Sequence, residues 1–287
     1  MQTRTLGSMS VSAIGLGGMP MSIEGRPEDR SRSVATIHAA LDAGITLIDT
    51  ADAYHLHADE VGHNETLIAE ALASYGGDTT DVLVATKGGH VRPGDGSWQI
   101  DGSPAHLRTA VDASLKRLGV DAIGLYQLHR SDPSVPYAES VGTLGELLDA
   151  GKIRLAGISN ASVEQVREAQ DVLGGRLVSV QNQFSPAFRS SEVELRLCAE
   201  LGLAFLPWSP LGGISNAAGL GAKHAAFAEV AKERGVSPQQ ITLAWELALA
   251  PVVLPIPGSS RPETIRDSAA AADLTLTDDE VARLSGA

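Results

Sequence analysis

The sequence has 287 residues, 43% of them hydrophobic and 20% charged, with a formal net charge of −13. This balance is typical of a soluble protein with a large core, and the acidity argues against nucleic acid and anionic membranes as partners. A single cysteine, Cys198, excludes an intrachain disulfide framework, and neither a membrane span nor a secretory signal is predicted, so we expect a cytoplasmic protein.

Extended apolar runs alternate with helical patterns along the whole chain. A small hairpin is predicted over residues 3–10. The runs that follow lie near residues 12–17, 46–49, 82–86, 122–128, 153–158, 177–181, 203–207 and 252–256. Eight such runs, each followed by helix, predict one domain over residues 1–287 with an α/β fold, a (β/α)8 TIM barrel. Residues 211–250 are expected to add a Gly-rich loop and two extra helices near the C-terminus.

Helix starts are marked by capping residues. Ser103-Pro104 and Ser237-Pro238 place an N-cap Ser before a Pro at the first helical position, with Gln240 at the capping-box position of the second helix. Ser162 and Thr277 also begin capping-box patterns. The sequence therefore predicts four helix starts, each at a polar residue that can bond a free backbone N–H group.

Four polar side chains lie at or just past the ends of predicted strands. Asp49 ends the second run and Tyr54 follows it, Lys87 ends the third run, and His129 ends the fourth. Taken alone, each has a structural interpretation, as a cap, a packed ring, a salt-bridge partner or a hydrogen-bonding imidazole. Because the carboxyl ends of barrel strands converge on one face, their joint occurrence favours a proton-transfer site. The ammonium would lower the pKa of the phenol, and the carboxylate would hold the ammonium in place.

With these four residues in this order, the chain resembles the aldo-keto reductase family. The resemblance covers nearly the whole chain and continues through residues 157–160, 181–183, 208–211 and 255–261. It implies NADP(H) as the cofactor, with NAD(H) as the alternative. It also implies reduction of an aldehyde or ketone to an alcohol by hydride transfer, with Tyr54 as proton donor and His129 orienting the carbonyl.

The resemblance further implies a set of cofactor-binding residues. The nicotinamide carboxamide needs both donors and acceptors, which side-chain amides and hydroxyls supply, and an aromatic ring would stack on the nicotinamide. The residues expected to bind the cofactor are Ser159, Asn160, Gln181, Trp208, Ser209, Pro210, Leu211, Ile256, Gly258, Ser259, Ser260 and Arg261.

By the same resemblance, the last segment, residues 255–261, is expected to bind the phosphates on the adenine side of the cofactor. Gly258 allows close backbone approach, the following helix offers free N–H groups, and Arg261 can pair with a phosphate through two hydrogen bonds. Ser260 stands where many family members have a second basic residue. The strength of an NADPH preference therefore stays open.

Other patterns in the sequence leave alternatives open. His55, His57 and His63 resemble a metal site, but three histidines in one polar loop fit a solvated rim better, and no metal is expected. The substrate pocket is expected to be walled by Met19, Met21, Trp98 and the 55–63 loop, where a histidine could touch substrate. Two alternative functions remain, a non-catalytic NADP(H)-binding regulatory or sensor subunit of the same fold and a metal hydrolase.

Overall fold

The computed structural model describes residues 1–23 and 25–286. The chain opens with an antiparallel hairpin, β1 (Thr3–Leu6) and β2 (Met9–Ser12). The strands that follow are β3 (Leu16–Gly17), β4 (Leu47–Asp49), β5 (Leu83–Gly88), β6 (His90–Val91), β7 (Gln99–Ile100), β8 (Ile123–Leu128), β9 (Ile153–Ser159), β10 (Leu177–Gln181) and β11 (Ala204–Phe205). All of them belong to one parallel sheet except β6 and β7, which form a small antiparallel ribbon. The parallel sheet runs in the order β3-β4-β5-β8-β9-β10-β11.

The segment after residue 251 closes this sheet into a barrel. The amides of Gly15 and Gly17 donate to the carbonyls of Pro255 and Pro257 at 2.9 and 3.0 Å, and Leu254 N–H donates to Phe205 on the other edge at 2.8 Å. The fold is thus the predicted (β/α)8 barrel. Its eighth strand is reduced to isolated bridges, because Pro255 and Pro257 have no N–H group to donate towards β3.

Eleven α-helices are found among the described residues. They are α1 (Arg30–Asp42), α2 (His63–Ser74), α3 (Pro104–Leu118), α4 (Tyr137–Asp149), α5 (Val163–Val172), α6 (Glu192–Leu201), α7 (Leu220–Lys223), α8 (Ala225–Arg234), α9 (Pro238–Leu249), α10 (Pro262–Ala270) and α11 (Asp278–Ser285). The region 211–250 therefore holds three α-helices, the first a single turn, where two were predicted. None of the helices over residues 1–23 and 25–286 combines the length and apolarity that a bilayer crossing needs.

The four predicted helix starts are confirmed. Ser103, Ser162, Ser237 and Thr277 each accept a backbone N–H bond in the first turn of α3, α5, α9 and α11. Full capping boxes form at Ser162 and Thr277. The side chain of Gln240 does not return to Ser237 and donates instead to Asp267 in α10, so this capping box was wrongly predicted.

The barrel interior is apolar at the end where the strands begin. Leu6 and Val11 of the hairpin are fully buried there and pack with Leu47, Leu125 and Leu155 from the strands. The predicted hairpin outside the barrel is confirmed, and it covers the amino-terminal end of the barrel. Polar side chains collect at the opposite end, where the strands finish.

Candidate active site

Lys87 is the centre of a buried polar cluster at the carboxyl ends of β4 and β5. Its Nζ donates to Asp49 Oδ1 at 2.6 Å, to the Thr50 carbonyl at 2.8 Å and to Tyr54 Oη at 3.0 Å. The three N–H groups of the ammonium are therefore all satisfied. Burial opposes the charge on Lys87, but Asp49 and Tyr54 outweigh it, so the pKa of Lys87 lies above its usual value. The ammonium is charged and fixed in one position.

The phenol of Tyr54 is nearly buried beside this ammonium. Burial raises the pKa of Tyr54, and Lys87 opposes that rise without reversing it. The expected lowering of the pKa by Lys87 is present, but the cost of placing a phenolate in a buried site is larger, so the pKa of Tyr54 lies above its ordinary value. Tyr54 accordingly keeps its proton at neutral pH, as a proton donor must.

Asp49 connects the cluster to a third strand. Burial raises the pKa of Asp49, and the Lys87 ammonium opposes the rise. Its second oxygen, Oδ2, accepts a hydrogen bond from Gln181 Nε2 at 2.8 Å. The carboxylate thus links the ends of β4, β5 and β10, and both of its oxygens have partners.

His129 lies directly beyond β8 and faces the same cavity. Its ring centroid is 5.8 Å from that of Tyr54 in an edge-on arrangement. Burial, followed by the charge of Lys87, holds the pKa of His129 well below its usual range. The imidazole is neutral at pH 7 and keeps one N–H to donate, which suits it to orient a polar group beside Tyr54.

A cavity of about 600 Å³ opens above these residues. Asp49, Tyr54 and His129 lie in its wall, while Lys87 lies behind them. Most of the residues predicted to bind the cofactor share this wall. They are Ser159, Asn160, Gln181, Trp208, Ser209, Pro210, Leu211, Ile256 and Gly258. The structure therefore brings most of the predicted catalytic and cofactor residues to one cavity.

Asn160 holds the wall of this cavity together. Its Nδ2 donates to the His129 carbonyl at 3.0 Å and to Ser159 Oγ at 3.1 Å, and its Oδ1 accepts from Trp208 Nε1 at 3.2 Å. Asn160 and Ser209 have φ angles of 55° and 53°, the only positive values at non-glycine positions among the described residues. Such conformations persist where surrounding contacts impose them, and they cluster at ligand sites.

Three predicted cofactor residues lie outside the cavity wall, at the start of α10. Ser259 Oγ accepts the Arg261 backbone N–H at 3.2 Å and bonds Thr264 Oγ1, so this hydroxyl serves the turn itself. Ser260 follows in the same turn. Arg261 is the N-cap residue, its side chain is half exposed, and its Nε lies 3.9 Å from Glu263. Its guanidinium extends into solvent beside a helix N-terminus that carries free N–H groups.

The prediction of the residues that line the pocket was wrong in part. Met21 is buried in the core packed against α1 and α2, because its short 3-10 helix turns the side chain inward. The 55–63 loop contributes no residue to the cavity wall. His55 Nδ1 bonds the His57 carbonyl at 2.7 Å, which fixes that ring within the loop. Over residues 1–23 and 25–286, no group of three metal-ligating side chains comes together.

Other residues form the wall in their place. His90 and Ile100 come from the ribbon of β6 and β7, which folds the 88–103 loop over the cavity beside Trp98. Arg130 and Ile214 complete this side. The sequence carried a usable signal for Arg130 alone, because it directly follows a strand-end histidine.

Comparison with known proteins agrees with this geometry. The model of the aldo/keto reductase family matches residues 13–287. An uncharacterised oxidoreductase of Schizosaccharomyces pombe is 37% identical over 286 residues, covering 98% of this chain and 88% of the relative. The pyridoxine 4-dehydrogenase of Escherichia coli is 33% identical over 293 aligned residues, covering 99% and 97%. A Klebsiella pneumoniae aldo/keto reductase solved with NADP and acetate superposes with a TM-score of 0.83 at 29% identity, covering 99% of this chain and 94% of that one.

Proposed function

Since the chain belongs to the aldo/keto reductase family and is an oxidoreductase of that family, we propose that it reduces an aldehyde or ketone to an alcohol with NADPH. The observation that carries this proposal is the Lys87 ammonium, bonded to Asp49 at 2.6 Å and to Tyr54 at 3.0 Å beside a neutral His129. A protonated phenol next to a fixed positive charge is a proton donor whose conjugate base is stabilised as it forms.

In the proposed reaction, the carbonyl oxygen of the substrate lies between Tyr54 and His129. The neutral imidazole donates a hydrogen bond that orients the carbonyl, and Tyr54 delivers its proton to the oxygen as negative charge develops there. Lys87 stabilises the phenolate left behind, and Asp49 keeps the ammonium charged and in place. When bound, the reduced nicotinamide supplies the hydride for the carbonyl carbon.

The cavity wall suits a nicotinamide cofactor on its β9 to β11 side. Ser159, Asn160 and Gln181 present hydroxyl and amide groups, the two kinds of partner that a carboxamide needs. Trp208 offers a ring face for stacking, held by its bond to Asn160. The K. pneumoniae structure contains NADP, which supports NADP(H) as the cofactor.

The phosphates of the cofactor would lie towards the N-terminus of α10. Free N–H groups of a helix N-terminus and a half-exposed guanidinium favour anions. In the proposal Arg261 pairs with the 2′-phosphate, Ser260 contributes its hydroxyl, and Ser259 holds the turn that presents both. We propose the cytoplasm as the compartment, where Cys198 stays a reduced, buried thiol.

The test is binding followed by turnover. NADPH and NADH are titrated into the purified protein while tryptophan fluorescence is followed, and aromatic aldehydes are then added while NADPH absorbance is recorded. We expect tight, NADPH-selective quenching and steady oxidation of NADPH. Tight binding with only a single slow turnover would indicate a regulatory subunit instead, and no binding of either nucleotide would refute the proposal.

A further inference from the structure

Among the described residues, the cavity wall holds one positive charge without an ion-pair partner. Among the described residues of its wall, only Asp49 and Arg130 carry a formal charge, and Asp49 is neutralised by Lys87 at 2.6 Å. Arg130 is exposed at the cavity and forms no ion pair with any described carboxylate. Elsewhere in the barrel, arginines such as Arg108 and Arg117 are paired with carboxylates at 2.6 Å.

The net charge of the protein makes a positive group at the cavity significant. The chain has 35 acidic residues against 22 lysines and arginines. Its overall field therefore repels anions, and an anionic substrate requires a local positive group at the cavity. A guanidinium in the cavity wall with no ion-pair partner among the described residues is available to bind an anionic ligand group.

Arg130 lies in the cavity wall beside the strands that carry the proposed nicotinamide residues. It follows β8 and neighbours the 88–103 loop, whereas the nicotinamide groups follow β9, β10 and β11. The His90 ring lies 4.4 Å from His129 and 5.3 Å from Trp98, so this wall leads directly to the reacting centre. Burial first, and the charge of Arg130 among other causes, lower the pKa of both His90 and His129.

The remaining surface on this side is apolar. Trp98 and Ile100 come from the loop above β5, and Ile214 comes from the loop after β11. These side chains offer apolar surface to a substrate body whose carbonyl would lie at Tyr54. Its far end would then emerge beside the guanidinium.

We propose that the substrate is an aldehyde or ketone that also carries an anionic oxygen group, a carboxylate or a phosphate, and that Arg130 binds this group. The inference rests on the proposed function and narrows its substrate class. A guanidinium presents two parallel N–H groups that match either anion, and it keeps its charge at every working pH. Arg130 is thus a specificity residue that touches substrate away from the reacting carbon.

The test compares two aldehydes of the same shape, 4-carboxybenzaldehyde and its uncharged methyl ester. The measured quantity is the ratio of their kcat/KM values, anionic over neutral. We expect Arg130→Met to lower this ratio about tenfold, which corresponds to about 1.4 kcal/mol, a reasonable value for an exposed charge-assisted pair. Arg130→Lys should retain part of the ratio. A third substrate, 4-formylphenyl phosphate, shows which of the two anions the site prefers.

Arg154→Met is the matched control. Arg154 is also an exposed arginine, but it lies near the start of β9, at the opposite end of the barrel from the cavity. Replacing Arg154 changes the net charge by the same amount as replacing Arg130, and it should leave the ratio of kcat/KM values unchanged. Should both variants lower the ratio alike, the effect would be the general field of the protein, and the inference would be wrong.

The remaining outcomes separate the inference from the function on which it rests. A wild-type protein that reduces neither aldehyde would refute the proposed function and the inference together. Reduction of both aldehydes with an unchanged ratio in Arg130→Met would refute the inference alone. A parallel loss of NADPH affinity and of both activities would make Arg130 a cofactor residue, which also overturns the inference.

Discussion

Removing the Tyr54 hydroxyl tests the proposed chemistry most directly. Tyr54→Phe deletes the proton donor but keeps the ring, which is 6% exposed and packs edge-on against His129. A positioned general acid contributes about 100- to 10,000-fold in rate, equivalent to about 2.7–5.4 kcal/mol of activation free energy. We expect turnover to fall within that range.

The structure also predicts what this variant leaves intact. Lys87 keeps its bonds to Asp49 at 2.6 Å and to the Thr50 carbonyl at 2.8 Å, so the ammonium stays paired. Losing the third bond should lower the free energy of unfolding by about 1 kcal/mol. NADPH affinity, measured by fluorescence quenching, should remain close to that of the wild type, because the predicted cofactor contacts lie on other strands.

Tyr126→Phe provides the control for the chemistry. Its hydroxyl is also buried in the barrel wall, but it has no hydrogen-bond partner among the described residues. The control should keep turnover within about twofold and should unfold no more easily than the wild type, since an unpaired buried hydroxyl contributes nothing favourable. Tyr54→Phe turnover within about threefold of wild type, at saturating NADPH, would refute Tyr54 as the proton donor.

Two other substitutions give distinct outcomes. Arg261→Ala should weaken NADPH binding about tenfold and NADH binding much less, measured by fluorescence titration, because only NADPH carries the 2′-phosphate; equal losses would exclude that pairing. Glu246→Met should stabilise the protein by about 2 kcal/mol near neutral pH, because both Glu246 oxygens are fully buried without partners among the described residues. Burial raises the pKa of Glu246 well above 4.5, so the unfolded chain loses this proton first and wild-type stability falls as pH rises. The advantage of Glu246→Met in urea unfolding should therefore grow from about pH 5 to about pH 8, and an advantage independent of pH would contradict the assignment.

The sequence predicted the parts of the molecule that depend on regular strands. Asp49, Lys87 and His129 each end an apolar run, and parallel strands in a barrel must finish at one face, so their meeting follows from spacing alone. Helix starts followed equally from local capping at residues such as Ser162, because the interaction spans only three residues.

The parts that were wrong depend on tertiary contacts. The eighth strand reads as a continuous apolar run, yet prolines within it remove the bonds that define a strand. Met21 was placed at the pocket by its position in the chain, but a short helix turns it into the core. His90 and Ile100 reach the cavity only because the 88–103 loop folds back as a ribbon. Loop paths of this kind are set by packing that a single sequence does not display.

The seam between β3 and the last segment has a consequence for how the barrel opens. Pro255 and Pro257 accept bonds from Gly15 and Gly17 but donate none. A longer bond of 3.4 Å runs back from the Ser259 N–H to the Gly17 carbonyl, so this edge has a sparser ladder than an ordinary parallel pair. A sparse ladder opens locally before the rest of the sheet, and the Gly15 and Gly17 amides should exchange hydrogen faster than those of β8 and β9. The seam ends at Gly258, beside the proposed phosphate site. A bound nucleotide that contacts both sides of this edge would stabilise it and slow hydrogen exchange at the Gly15 and Gly17 amides, far from the reacting carbonyl.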